Sequence, residues 1–203
     1  MYKKPLIIFE GIDGSGKTTQ ITNVIKHFKK KNKKFVKLRE PGGSRNSEII
    51  RNIILKKSNK FDKYTDLLLY IAARNENIKN IISKNYKKKI ILIDRYIYST
   101  IAYQCYGMGI NRNFVRVIND YIVKKYKPTH IFLHLVNEKN LKKRLKNRLI
   151  NNRYDYFKSK FYNKVQKGFL KLLKNKKNVT IVDSNKSIKE NKTIIINKIN
   201  KLI

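Results

Sequence analysis

Short apolar runs rich in β-branched residues alternate along the chain with longer stretches in which apolar residues recur three and four positions apart. The short runs suit strands buried on both faces and the longer ones suit amphipathic helices, so the order predicts βαβ units and a parallel sheet covered on both sides. Strands are predicted over 6–10, 35–39, 90–94, 131–135 and 179–183. Helices are predicted over 17–31, 47–56, 64–84, 98–106, 113–125, 138–148, 157–174 and 188–202. The last of these lies in a lysine- and asparagine-rich tail, but Ile188, Ile195, Ile199 and Leu202 keep helical spacing there, which predicts a packed helix and not a loose arm. No repeat and no Pro- or Ser-rich linker divides the chain, so 1–203 is expected to be one α/β domain.

The first strand runs straight into a glycine-spaced loop. Residues 6–20 read LIIFEGIDGSGKTTQ, in which Gly11, Gly16, Lys17 and Thr18 satisfy G-x-x-x-x-G-K-[ST] between a strand and a helix. In such a loop, Gly11, Ile12, Asp13, Gly14, Ser15 and Gly16 turn tightly enough to aim successive N–H groups at phosphate oxygens. The start of the next helix adds its own open N–H groups. Lys17 is then expected to reach the β- and γ-phosphates of ATP, and the Thr18 hydroxyl to ligate Mg²⁺.

Composition narrows the class. The apolar share of 41% is that of a globular chain, no apolar run approaches the about 20 residues of a membrane span, and Met1 leads directly into the first strand without a signal-like segment. A cytoplasmic protein is expected. The single cysteine, Cys105, excludes an internal disulfide and any multi-cysteine metal site. A formal charge of +36 would ordinarily point to a polyanion. Here Lys, Asn, Ile and Tyr are all in excess and spread over the whole chain, which fits codon drift toward A/T and no specific nucleic-acid partner.

In an open parallel sheet, ligands bind beyond the carboxyl ends of the strands, so the polar residues at those ends are the ones to read. Besides Glu10 and the loop, they are Arg39 with Glu40-Pro41-Gly42-Gly43, and Asp94-Arg95. Asp94 ends an apolar strand where a carboxylate can orient Mg²⁺ or its water shell, and Arg95 can grip a phosphate with two donors. On the helix that follows 64, Tyr70 and Arg74 are four apart and share a face, a ring and a cationic donor suited to a base. Arg144, Arg148 and Arg153, flanking a polar hinge at Asn151-Asn152, have the makings of a lid that brings arginines to a transferring phosphate.

Taken together, FEGIDGSGKTTQ, REPGG, LLLYIAAR, DRYIYSTIAYQ and the stretch 153–169 resemble thymidylate kinase of the bacterial kind, in order and in spacing, from Leu6 to about Asp183. The resemblance implies a three-layer P-loop NTPase fold with five parallel strands and a short arginine-bearing lid at about 148–156. It implies ATP- and Mg²⁺-dependent phosphorylation of dTMP to dTDP, and a homodimer. It assigns Asp13 to the sugar 3′-hydroxyl and Tyr70 to stacking on thymine. Arg74 is assigned to the base and Arg95 to the dTMP phosphate, with Arg39 and Arg51 nearby. Thr100 and Tyr103, beside Gln104, are assigned to the base and to the test for a missing 2′-hydroxyl. Gly14 stands where eukaryotic-type enzymes place an arginine, so the catalytic arginine is expected from the lid, as Arg148 or Arg153 with Arg144 behind them; Lys17, Arg95 and Asp13 complete the catalytic set.

The chain departs from the family at three places. Met108 replaces an arginine in the glycine-rich turn after Gln104, the lid reads Asn152-Arg153-Tyr154-Asp155, and His134 replaces a usual aspartate at the end of the fourth strand. His134 is expected to be a neutral, hydrogen-bonded histidine. The alternatives left open are a related deoxynucleoside or other nucleoside monophosphate kinase, and a vestigial kinase that binds nucleic acid.

Overall fold

The computed structural model describes residues 4–146, 157 and 159–203. Its centre is a five-stranded, all-parallel sheet in the order β2-β3-β1-β4-β5. The strands are β1 (Leu6–Glu10), β2 (Phe35–Arg39), β3 (Ile90–Asp94), β4 (His130–Leu135) and β5 (Val179–Asp183). Four match the sequence expectation, and β4 begins one residue earlier. The predicted lid at 148–156, with Arg148 and Arg153, lies outside the described residues.

Register follows from alternation. Leu6 and Ile8 of β1 face one side of the sheet with Ile91, Ile93, Ile131 and Leu133, while Ile7 and Phe9 face the other with Ile90, Leu92 and Phe132. Because both faces are apolar, each strand reads as a continuous hydrophobic run. A slip of one residue would exchange the two packed faces, each built of differently shaped side chains. The second face is covered by α1 (Lys17–Lys30), through Ile21, Val24 and Phe28, and by α9 (Ile188–Asn200), through Ile195 and Ile199. Phe28 and Ile195 are fully buried, and burial of such a side chain contributes about 1.5–3 kcal/mol. The tail is therefore a structural helix, begun by a capping box in which Ser187 and Glu190 satisfy each other's backbone N–H groups.

The first face carries α2 (Arg45–Leu55), α3 (Lys63–Asn77), α6 (Arg112–Val123), α7 (Glu138–Lys146) and α8 (Ser159–Leu173). Side-chain caps start α2, α3 and α6 through Ser44, Asp62 and Asn111. Two predicted helices are not uniform. The run predicted over 64–84 is α3, a π-helical segment Ile78–Ile82, and a last turn α4 (Ser83–Asn85). The run predicted over 98–106 is one turn, α5 (Ile97–Thr100), followed by a π-helical segment Ile101–Gly107. Widening the helix there turns Tyr103 and Gln104 inward, both buried, a use of π geometry common at functional sites.

Candidate functional site

The phosphate loop joins β1 to α1. Gly11 has φ 139°, and a Cβ on it would lie 2.5 Å from the backbone oxygen of His134, so only glycine lets the loop pass against β4. Helix α1 starts from Gly16 at φ 84° with no side-chain cap, in contrast to α2, α3, α6 and α9. Its first-turn N–H groups are thereby left for an anion. Lys17 is buried and its Nζ donates to the carbonyls of Gly11 (3.0 Å) and Ile12 (2.8 Å). Burial, with the Arg95 charge added, lowers its pKa to about 8 against the pull of Asp94, Asp13 and Glu10. An anion bound there would favour its charged form further.

The end of β3 lies against this loop because β1 and β3 are paired with Phe9 opposite Asp94. Thr18 Oγ1 is 3.4 Å from Asp94 Oδ2, and Asp94 Oδ1 is buried with no hydrogen-bond partner among the described residues. A carboxylate oxygen left without a donor beside a hydroxyl, both next to a phosphate cradle, fits a hard cation such as Mg²⁺ or its water shell.

Arg95 has a left-handed backbone (φ 69°), a conformation rare for any residue but glycine and most often kept at sites of function. The turn folds its side chain back over the loop. Nη1 donates to the Gly11 carbonyl (2.7 Å) and to Ser99 Oγ (3.3 Å), and Nη2 pairs with Asp13 Oδ1 at 2.9 Å. Tyr103 donates its hydroxyl to Asp13 Oδ2 (2.8 Å), while the Asp13 N–H donates back to it (3.1 Å). Burial opposes charge on Arg95, but Asp13, Tyr103, Asp94 and Glu10 hold the guanidinium protonated well beyond its ordinary range.

Two cavities meet at this cluster. One is lined by Gly14, Gly16, Lys17, Thr18, Asp94 and Arg144. The other is lined by Tyr70, Arg74, Thr100, Tyr103 and Gln104 with Pro41, Leu55 and Ser99. Asp13, Glu40, Arg51 and Arg95 line both. Thirteen predicted site residues thus line one or both cavities: Asp13, Gly14, Gly16, Lys17, Thr18, Arg39, Tyr70, Arg74, Asp94, Arg95, Thr100, Tyr103 and Gln104. Gly11, Ile12 and Ser15 form the loop's frame, with Ile12 and Ser15 buried.

Arg39 is placed differently. Its side chain is half exposed, pairs with Glu48 of α2 at 2.9 Å, and lines the loop cavity, not the one that holds Tyr70 and Arg74. Besides Arg95, the arginine that lines both cavities is Arg51, anchored through Nη1 to the Pro41 carbonyl at 2.6 Å. Arg144 reaches the loop directly: Nη1 bonds the Gly14 carbonyl (3.2 Å) and Nη2 the Ser184 carbonyl (2.6 Å). His134 is buried, shares a hydrogen bond between Nδ1 and Ser184 Oγ (3.2 Å), and is held neutral, its pKa lowered to about 3 by burial and by Lys17.

Glu10, named from the sequence only as a strand-end residue, and Ser99, which the sequence did not single out, have a structural role here. Glu10, fully buried, accepts from the N–H groups of Tyr96 (3.0 Å) and Ser99 (3.2 Å) and from the Ser99 hydroxyl, fixing the start of α5. Burial raises its pKa to about 7 in spite of those donors. A charged residue closing an apolar strand was the available signal.

A family model described as thymidylate kinase matches residues 9–195. The chain is 36% identical over 199 residues to a thymidylate kinase of a Wolbachia from Brugia malayi, covering 97% of this chain and 94% of that one. It is 38% identical over 187 residues to a thymidylate kinase of Mycoplasma capricolum, covering 90% and 88%. The crystal structure of thymidylate kinase from Ehrlichia chaffeensis superposes with a TM-score of 0.78 at 31% identity, over 97% of this chain and 98% of the other. With the loop, the Asp94-Arg95 turn and the second cavity in their places on a P-loop NTPase sheet, this chain belongs to the thymidylate kinase family.

Proposed function

We propose that one kinase domain transfers the γ-phosphoryl group of ATP to dTMP, giving dTDP and ADP in dTTP synthesis, a cytoplasmic step. The observation that carries the reading is the meeting of the two cavities at Asp13 and Arg95. A donor phosphate on the loop and an acceptor phosphate at Arg95 would face each other across that seam. Family membership favours this reaction over a kinase of another acceptor or a vestigial chain that binds nucleic acid.

In this reading the loop N–H groups and Lys17 hold the β- and γ-phosphates. Arg95 and Arg51 hold the acceptor phosphate. Asp13, fixed by Arg95 and Tyr103, takes the sugar 3′-hydroxyl on its remaining lone pairs, Tyr103 fills the space beside the sugar, Tyr70 stacks on the base, and Arg74, Thr100 and Gln104 read its edge. Thr18 and Asp94 hold Mg²⁺, which when bound neutralises charge on the transferring phosphates. The acceptor is already a phosphate oxyanion, so no strong base is needed, and the residues act by alignment and charge neutralisation. Arg144 sits on the loop at the donor side; Arg148 or Arg153 supplies the transition-state arginine.

The enzyme is assigned as a homodimer through α2, α3 and α6. Ile53, Leu68, Phe114, Val117 and Tyr121 are apolar side chains left exposed on these adjacent helices, and Tyr64 bridges two of them edge-on to Phe114. Apolar side chains exposed on neighbouring helices in this way suit a second copy. Light scattering at moderate salt should return twice the chain mass. The reaction is tested by ADP production from ATP and Mg²⁺ with dTMP, dUMP, dCMP, dGMP, AMP and thymidine. Turnover concentrated on dTMP, and lost in Lys17→Ala, is expected; turnover concentrated on another acceptor would reject the base-site assignment.

A further inference from the structure

Arg74 of α3 is 2% exposed and lines the acceptor cavity. Two neighbours fix its guanidinium from different elements. Its Nε donates to Glu40 Oε2 at 2.8 Å, a buried ion pair from the β2–α2 connection, and its Nη1 donates to Oδ1 of Asn119 on α6. The ring of Tyr96 lies under it, 5.3 Å from the guanidinium carbon to the centroid. Nη2 has no hydrogen-bond partner among the described residues. Asn119 is itself buried and locked, its Nδ2 donating to the Val115 carbonyl at 3.0 Å in the preceding turn of α6. That bond decides which end of the amide faces Arg74: the oxygen does, as an acceptor.

A single tether at Nε leaves a guanidinium free to swing about that bond. A second tether at Nη1 fixes the plane and leaves Nη2 as the group able to address a ligand in the cavity. We propose that Asn119, which does not line the cavity, is a positioning residue for base specificity: it holds Arg74 so that an N–H donor faces position 4 of a pyrimidine. Thymine carries an oxygen acceptor there and cytosine an amino donor. A fixed donor favours the first and meets a second donor in the other, whereas a guanidinium free to move aside would meet less conflict with cytosine. Discrimination that rests on an unpaired buried polar group is strong because the wrong base leaves that group without a partner.

This inference rests on the assignment of the second cavity to dTMP, and the experiment separates the two. Steady-state kinetics with dTMP and with dCMP are compared in the wild type, Asn119→Ala, Asn119→Leu and Asn119→Asp. The leucine variant fills the vacated space, so one apolar variant remains usable if alanine loosens α6; the aspartate variant keeps an acceptor oxygen. Both apolar variants are expected to raise KM for dTMP about tenfold and to narrow the dTMP-to-dCMP ratio of kcat/KM by about tenfold or more, with KM for ATP unchanged. Asn119→Asp should retain the wild-type ratio. Apolar variants with the wild-type ratio would overturn the proposal, as would variants that lose kcat and ATP binding together, which would make Asn119 a packing residue only. A wild type that does not prefer dTMP to dCMP would overturn the base-site assignment and the inference with it.

Discussion

Asp13 and Arg95 form a 2.9 Å ion pair where the cavity over the phosphate loop meets the cavity lined by Tyr70 and Arg74. The residues are far apart in the chain, and the pairing of β1 with β3 brings them together. Arg95 has a second anchor on the Gly11 carbonyl, so the guanidinium is fixed relative to the loop itself. Preorganised charge of this kind is worth most when it is already in place. Arg95→Ala is expected to lower kcat with dTMP by about 10²–10³-fold while ATP binding is kept. Arg95→Lys should recover little, since one ammonium cannot span the Gly11 carbonyl, Ser99 and the Asp13 carboxylate. Near-wild-type kcat in Arg95→Lys would show that charge alone is required.

Gly11 gives a test of the loop that does not depend on the acceptor. A methyl group there meets the His134 backbone oxygen at 2.5 Å and also demands φ 139° of an alanine. Neither can be relieved by a side-chain rotation. Gly11→Ala should cost about 1–3 kcal/mol of stability and abolish tight ATP binding, read by denaturant unfolding and by nucleotide titration. Unchanged nucleotide affinity would mean that the loop does not hold the phosphates.

How much of this was legible beforehand differs by element. The five strands and the loop were legible because apolar runs, glycines and Lys17-Thr18 are local signals. The π-helical segments were not: a pattern of period 3.6 hides the wider turns at Ile78–Ile82 and Ile101–Gly107, and it is the second of these that delivers Tyr103 to Asp13. Arg39 illustrates the other limit. Its place at a strand end is local information, but its pairing with Glu48 depends on where α2 lies, which also puts Arg51, and not Arg39, at the acceptor cavity. The same holds for Arg74 and Asn119, joined only by the packing of α3 on α6.

Arg144 on α7 and the arginines of the proposed lid, Arg148 and Arg153, are expected to separate by chemistry. Arg144 is tied to the Gly14 and Ser184 carbonyls on the donor side, so Arg144→Ala should raise KM for ATP more than it lowers kcat. A transition-state arginine shows the opposite pattern and can be worth about 10³–10⁵-fold in rate. Arg148→Ala or Arg153→Ala should therefore lower kcat far more than it weakens dTMP binding. Full kcat in both variants would remove the lid from the chemistry.

His134 makes a prediction about stability in acid. It stays neutral in the folded protein down to about pH 3, whereas in the unfolded chain it protonates near 6.5. Between those values the unfolded state holds one more proton at this site, so the histidine's contribution to stability is full above pH 6.5 and falls by about 1.4 kcal/mol for each unit below it. Glu10 works in the opposite direction: with its pKa raised from 4.5 to about 7, it takes up its proton earlier in the folded state and adds stability as pH falls through that window. The two terms oppose each other between pH 6.5 and 4.5, so the whole stability curve conceals both. The difference between wild type and His134→Gln removes Glu10 from the comparison. Urea unfolding at pH 6.5 and pH 5 should show the wild type losing about 2 kcal/mol relative to the variant. A difference that stays constant over that range would mean that His134 is protonated in the folded state, and that Lys17 and its buried surroundings do not hold it neutral.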